Sequence, residues 1–274
     1  MSTNPNVRII TSESFTVLQY LQELNKHKTL IWVFAMQEIK TTYVQTYLGI
    51  GWAVARPLII LGIFTLLFKT LLKIHTESPY YLFAFSGMIA WNFFSNLVNN
   101  ASSAIVQKQQ LIRKMYFPKL ILPLSKILVS GVETAVSLLI VFLMLVIEGI
   151  PFHWNMLLLP FFLFLNICCG FCIAVWMNAL NISFRDLNQI VPPLIGMGIW
   201  FTPVFFPITI IPPAYQFVLW LNPMAGVVKG FRYSLLGEQF PEWQFFVGFA
   251  IIVFLMLIGI WYLTQVEDEL VDYA

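Results

Sequence analysis

Three groups of residues in this sequence have types and spacings that chemistry can use. Cys168, Cys169 and Cys172 form C-C-x-x-C. On a helix Cys168 and Cys172 share a face, which is the placement a soft-metal or redox pair requires. No histidine or acid lies near them in sequence, and free cysteine is a common small buried side chain, so packing is the expected role. Glu133 sits near the middle of a long apolar stretch. An ionisable group there costs about 2.5–3.5 kcal/mol to insert in lipid, so it must face a partner or water. With no second titratable group forming a visible relay, structural pairing or a watery lumen is favoured over proton coupling. Asn92, Asn96, Asn99 and Ser103 recur at 4-3-4 spacing, with Ser95 and Ser102 beside them. That is a polar stripe down one helix face. In lipid such a stripe turns inward, either to hold helices together or to line a hydrated path, and spacing leaves both open.

The common catalytic signatures are missing from the sequence. There is no G-x-x-x-x-G-K-[ST] loop and no Gly-Lys dipeptide, so the chain is not expected to cradle a nucleotide phosphate itself. H-E-x-x-H and G-x-S-x-G are also missing, and His27, His75 and His153 fall in different segments, without a metal-ligand or triad pattern. Neither catalysis, a metal nor a bound cofactor is expected of this chain alone.

Two further features are suited to recognition. The segment from Lys108 to Lys119 carries Arg113 and Lys114 on a short amphipathic turn bracketed by Leu111, Met115 and Pro118. A membrane span has no need of such a turn. It is either a docking surface for a cytoplasmic partner or ordinary basic anchoring. Aromatic residues make up 16% of the chain. Phe64 and Phe68 share a helical face, and Trp200, Phe201 and Phe205 approximately share another. Flat apolar rings suit a sugar path, although aromatics also sit against lipid and at interfaces in any membrane protein.

The elements that must hold these residues follow from composition. Of 274 residues, 59% are apolar and 10% charged, where a soluble domain carries about 25% charged residues. A soluble enzyme is thereby excluded, and a net charge of +2 without a dense basic block excludes nucleic acid as a partner. A helix crossing about 30 Å of hydrocarbon needs roughly 20 apolar residues. Stretches of that kind lie at about 53–72, between 77 and 108, at about 120–147 and 155–179, at about 190–206 and between 242 and 267. The charge-free stretch 187–228 is broken by Pro192, Pro193, Pro203, Pro207, Pro212, Pro213 and Pro223, so it is not one straight helix. Residues 214–236 are expected to dip into the membrane and return, which requires cover from protein or a watery cavity.

The expected fold is therefore all-α and polytopic, with six transmembrane helices. Lysines and arginines cluster before the first span, in the 2–3 connection and at Arg185, which places both termini in the cytoplasm. Residues 1–29 are polar and mixed in charge, so no secretory signal is expected. Phe15, Leu18, Leu21 and Leu24 repeat every three residues, and the apolar run 30–39 is too short to span, which predicts an interfacial amphipathic helix. The expected organisation is a cytoplasmic segment at 1–52, a transmembrane domain at 53–265 and a cytoplasmic acidic tail at 266–274.

Several motifs in order then resemble a known family. Thr46-Tyr-Leu-Gly-Ile-Gly-Trp-Ala-Val-Ala-Arg-Pro57 resembles the LG-x-x-W-x-x-x-x-P lead into the first span of ABC-2-type permeases, with Gly51 where a bulkier residue is usual. Leu111-Ile-Arg-Lys-Met-Tyr-Phe-Pro-Lys-Leu-Ile-Leu-Pro123 is similar to the LIRKVYFP…P segment of the polysaccharide exporters in that group. Phe184-Arg-Asp186, and Leu221-Asn-Pro-Met224 followed by Phe231-Arg232, are similar to later motifs. The resemblance covers about residues 30–265 and is nearest to the O-antigen (Wzm-type) permeases.

That resemblance implies a homodimer of six-span subunits in the bacterial inner membrane, with two separate ATP-binding-cassette subunits that bind the ATP. It implies a lipid-diphosphate-linked (polyprenyl) polysaccharide as substrate. Lys108, Leu111, Arg113, Lys114, Met115 and Tyr116 would dock the ATPase. Arg56, Phe64, Phe68, Asn92, Asn96, Asn99, Trp200, Phe201 and Phe205 would line the channel. An interfacial gate helix at about 30–42 would place Trp32, Tyr43 and Tyr47 at a gate to which Arg232 also contributes, and residues 214–236 would be short re-entrant helices. The alternatives are an ABC-2 permease for capsule, teichoic acid or a small amphiphile, and a membrane-embedded glycan polymerase or ligase. The latter needs catalytic groups on large outer loops, which this sequence does not offer.

Overall fold

The structure is a computed structural model that describes residues 17–44, 51–67, 76, 78–112, 114, 117–181, 184 and 186–266, with backbone alone at 17–19, 21, 43, 44, 52–54, 56 and 64. Among the described residues every regular element is helical. The chain forms α1 (Val17–Lys26), α2 (Lys28–Val44), α3 (Gly51–Thr65), α4 (Tyr80–Ala101), α5 (Ala104–Gln107), α6 (Gln109–Ile112) and α7 (Ile121–Ile147). It continues as α8 (Leu159–Leu180), α9 (Leu187–Gly198), α10 (Phe217–Trp220), α11 (Pro223–Leu236) and α12 (Trp243–Val266).

Four helical stretches among the described residues are long and apolar enough to cross a membrane: Tyr80–Ala101, Ile121–Ile147, Trp154–Leu180 and Trp243–Val266. The six expected spans are thus not all present as full-length helices. The first appears as α3, whose 15 residues rise about 22 Å, and residues 68–75, where it was expected to end, lie outside the described residues. The fifth is α9, carried by a 3-10 turn only to Phe201. Its early stop has a clear cause. Proline disfavours a helical conformation in the preceding residue, and Thr202, just before Pro203, is extended at φ −111° and ψ 135°. Residues 202–206 therefore leave the helix that the sequence suggested they would continue.

α4 is the axis of the fold. It packs against α7, α8 and α11, α12 covers α8, α2 lies along α7, and α3 rests on both α4 and α7. The bundle has one end marked by Tyr80, Leu159 and Trp243 and another marked by Ala101, Leu180 and Val266, because α4, α8 and α12 run in one direction and α7 returns. The main core joins Phe85, Phe162, Phe205, Phe231 and Phe245 with aliphatic residues from α4, α8 and α11.

Residues 214–236, expected as short re-entrant helices, hold α10 and α11, and the second is bounded by local chemistry. Asn222 caps α11, its Oδ1 accepting from the Met224 N–H at 3.0 Å, and Pro223 occupies the first helical position, where a missing N–H costs nothing. Gly237, at φ +74°, ends it in the left-handed conformation that suits glycine. The helix fits deep in the core because of its own glycines. A Cβ at Gly226 would sit 2.8 Å from Phe245, and one at Gly230 would collide with the Phe162 ring.

Candidate functional site

The Ala101 end of the bundle holds the basic segment. α5 and α6 follow α4 after a turn at Ser102 and Ser103, and that turn is fastened by α8. Asn178 Nδ2 donates to the Ala101 carbonyl at 2.6 Å while its Oδ1 accepts from the Ile105 N–H at 3.2 Å. Asn181 Nδ2 donates to the Ser102 carbonyl at 2.9 Å. The backbone N–H of Lys108 closes α5 on the carbonyls of Ile105 and Val106. Leu111 and Ile112 of α6 lean on a core of Ala104, Ile105, Phe117 and Leu120. Lys114 is exposed, while Arg113, Met115 and Tyr116 lie outside the described residues. The arrangement is a short platform, anchored by apolar contacts and side-chain amides, with a lysine directed to solvent.

α2 lies beside this platform. Its Glu38 carboxylate accepts from Lys126 Nζ of α7 at 2.5 Å, and the Lys126 side chain is only 7% exposed. Phe34 packs on Phe117 with ring centroids 5.7 Å apart, and the Leu120 N–H donates to the Tyr20 hydroxyl at 3.2 Å. Trp32 is exposed. Tyr47, and the Tyr43 side chain, lie outside the described residues. The predicted interfacial segment is thus tied to α7 by an ion pair and to the residues just before α7 by a ring contact, while Tyr20 of α1 accepts from the same stretch of backbone.

Deeper in the bundle, two features that the sequence presented separately meet. Asn96 Nδ2 donates to Glu133 Oε2 at 2.6 Å, joining α4 to α7. Asn99 Nδ2 donates to Ser95 Oγ at 3.3 Å, and Asn92, Asn96, Asn99 and Glu133 are all half-buried. The Asn96–Glu133 bond supplies Glu133 with the structural pairing that its position demands.

The aromatic candidates separate. Trp200 is 57% and Phe201 75% exposed, whereas Phe205 is 2% exposed, with the Tyr80 hydroxyl donating to its carbonyl at 2.9 Å. Phe205 still touches the Trp200 ring at 6.2 Å between centroids, but from inside the core. The expected shared face fails because the helix ends at Phe201. Phe68, and the side chains of Arg56 and Phe64, lie outside the described residues.

Arg232, expected at a gate, is enclosed. Its Nη2 donates to the Val204 carbonyl at 2.6 Å and its Nε to the Phe83 carbonyl at 3.3 Å, with Cζ 3.4 Å from the Phe83 ring centroid. It bolts α11 to the start of α4 and to the segment after α9. A cavity of about 260 Å³ lies among α4, α8, α9 and the start of α11, walled by Trp91, Phe94, Cys169, Ile173, Leu194 and Phe201, among others. The polar side chains on its wall, Asn222 and Thr202, bond to each other at 2.9 Å. The three cysteines are free and buried, and no group of three or more metal-ligating side chains occurs among the described residues.

Comparison with known proteins completes the picture. Residues 29–236 match the ABC-2 type transporter family. The chain belongs to that family. Among curated relatives it is 24% identical to the O-antigen export system permease protein RfbA of Myxococcus xanthus over 244 residues, 88% of this chain and 93% of the relative. It is 24% identical to a protein of the same name from Klebsiella pneumoniae over 207 residues, 74% and 78% of the two chains. It is 26% identical to the polysialic acid transport protein KpsM of Escherichia coli over 227 residues, 78% and 84%.

Three features of this ABC-2 type protein carry no clear signal in its sequence. Lys126 was hidden within an apolar span, although it stands seven residues before Glu133 on the same helical face. Glu38 lies 88 positions away, with nothing in sequence to link the two. The α8 asparagines Asn178 and Asn181 were unremarkable polar interruptions, and their role needed the helix packing to appear.

Proposed function

We propose that this ABC-2 type protein is the membrane-spanning subunit of an exporter of lipid-diphosphate-linked polysaccharide, driven by separate ATP-binding-cassette subunits. Two copies of the chain, each of six spans with both termini in the cytoplasm, enclose the path across the bacterial inner membrane. The reading is carried by the α5–α6 platform, a structure built to present a basic surface at one bundle end in a chain without a nucleotide-binding motif. The relatives, named for O-antigen export and polysialic acid transport, support a polysaccharide as the cargo.

In this reading Lys108, Leu111, Arg113, Lys114, Met115 and Tyr116 form the docking surface. ATP binding draws the cytoplasmic subunits together, and the platform passes that motion to α2 and α7. Trp200 and Phe201, exposed on the 3-10 turn after α9, offer flat faces to sugar rings. Arg56 would meet the diphosphate by charge-assisted hydrogen bonds.

The test is export in proteoliposomes with and without the partner ATPase. ATP-dependent release of the polymer is expected only when both are present, and export that persists without the ATPase removes the proposal. Arg113→Glu/Lys114→Glu is expected to abolish co-purification of the ATPase while the permease remains monodisperse. Unchanged binding would exclude this surface as the dock.

A further inference from the structure

α4 and α7 meet in a single register that two hydrogen bonds fix. Asn96 donates to Glu133, and Tyr81 donates to Glu148. Going from residue 96 to 81 on α4 is matched by going from 133 to 148 on α7, so the antiparallel helices stay in step over that length. This register sets two polar stripes opposite each other. Asn92, Asn96 and Asn99 on α4 oppose Ser137, Glu133 and Ser130 on α7. One turn further along the α7 stripe is Lys126, whose partner is Glu38 of α2. The spacing is 4-3-4 on both helices, so polar residues face polar residues at each turn through half of the contact. The other half, with Met88 opposite Val141 and Ala84 opposite Leu145, is apolar and buried.

The polar half is not a closed zipper. Among the described residues, Asn99 Oδ1 and Ser130 Oγ, opposite each other in this register, are both buried without a hydrogen-bond partner. The stripes also repeat. If α7 shifts one turn along α4, Glu133 reaches Asn99 in place of Asn96, Ser137 comes opposite Ser95 and Ser130 opposite Ser102. Polar groups still face polar groups, so the helix pair has two discrete arrangements of similar chemistry, the condition for a one-turn ratchet between packed elements.

We propose that the α4–α7 seam is a two-position slip surface, with Asn96 and Asn99 as alternative seats for the Glu133 carboxylate. Lys126–Glu38 makes α2 travel with α7 during the shift. The seam thereby lets the α2–α7 unit move against an α4 that Arg232, Asn166 and Asn178 hold fast to α8 and α11. The two registers are a property of the chain itself. Only their response to nucleotide rests on the reading as an ATP-driven permease.

Disulfide trapping in native membranes tests this, with the ATPase co-expressed and Cys168, Cys169 and Cys172 replaced by Ala. Asn92→Cys/Ser137→Cys reports the observed register and Ser95→Cys/Ser137→Cys the shifted one, leaving Glu133, Lys126, Asn96 and Asn99 intact. Both disulfides are expected to form. Trapping with ATP and vanadate is expected to change their ratio by roughly twofold or more. Glu38→Gln is expected to remove that change while leaving both disulfides. If the first pair alone links under every condition, the seam is static and the inference falls. If the first pair does not link, the register itself is wrong and the inference falls with it. Two registers with no response to nucleotide would keep the slip surface and overturn the ATP-driven reading instead.

Discussion

At the scale of single residues, the asymmetry of the Lys126–Glu38 pair makes a sharp prediction. Lys126 is almost fully covered, at 7% side-chain exposure, whereas Glu38 keeps 26% and with it access to solvent. Breaking a buried pair costs mainly through the charge left behind without a partner. Glu38→Gln strands the buried ammonium and is expected to destabilise by about 3 kcal/mol. Lys126→Met strands only a carboxylate that can turn outward, and is expected to cost markedly less. The double variant Glu38→Leu/Lys126→Met is expected to recover most of the loss, because no charge is then buried. Thermal unfolding of the detergent-solubilised protein checks the order. Equal losses in the two single variants would show that the pair contributes through contact rather than through burial of charge. The same reasoning explains what sequence could reach at this scale. Glu133 was conspicuous because one carboxylate broke an apolar run. Its partner could not be named until the α4–α7 register was known, since several stripe residues were chemically suitable.

At the scale of elements, the joint between α4 and α5 deserves a test of its own, because α8 holds it through side chains that never touch the platform's surface. Asn178 accepts from Ile105 N–H and donates to Ala101 and Ala174 carbonyls, so one amide spans the break between two helices. Asn178→Leu leaves that break without its fastener while preserving every basic residue of Lys108–Lys119. It is expected to weaken ATPase co-purification by about tenfold, as a loss of roughly 1.4 kcal/mol of pre-organisation implies. Unaltered co-purification would mean that apolar contacts of Leu111 and Ile112 suffice to shape the platform. Element boundaries were legible in sequence where local chemistry dictates them. Asn222-Pro223 and Gly237 mark α11 because capping and left-handed φ are one-residue properties. The extent of α9 was misread because uniform apolarity suggested a span. A single X-Pro restriction at Thr202-Pro203 stopped it, and that local term outweighed the hydrophobic pattern.

At the scale of the whole molecule, α9 is the element whose surroundings are incomplete in a single chain. It rises only about 18 Å over 12 residues, well short of the hydrocarbon core. The backbone that follows is irregular from Thr202 to Gln216, broken by short 3-10 turns. Lipid does not tolerate irregular backbone, which must be covered by protein or border water. Yet within α9 only Val191 is buried, and Leu194 and Met197, like Trp200 and Phe201 of the turn that follows, are exposed. A Cβ on Gly196 would meet nothing within 4 Å, and the same holds for Gly62 on α3. Small residues on open helix faces let a second backbone approach closely, which is how helices associate where no hydrophobic force separates lipid from protein. The proposed second copy supplies what this end of the fold lacks. Gly196→Cys and Met197→Cys, each introduced with Cys168, Cys169 and Cys172 replaced by Ala, are therefore expected to give a disulfide-linked species of twice the chain mass in native membranes, lost on reduction. Gly196→Trp is expected to block both that species and export while leaving the monomer's unfolding temperature close to wild type, since the new side chain enters open space. Labelling of both cysteines by a lipid-borne photoprobe, with no linked species, would place α9 against lipid and remove the case for a dimer through this face.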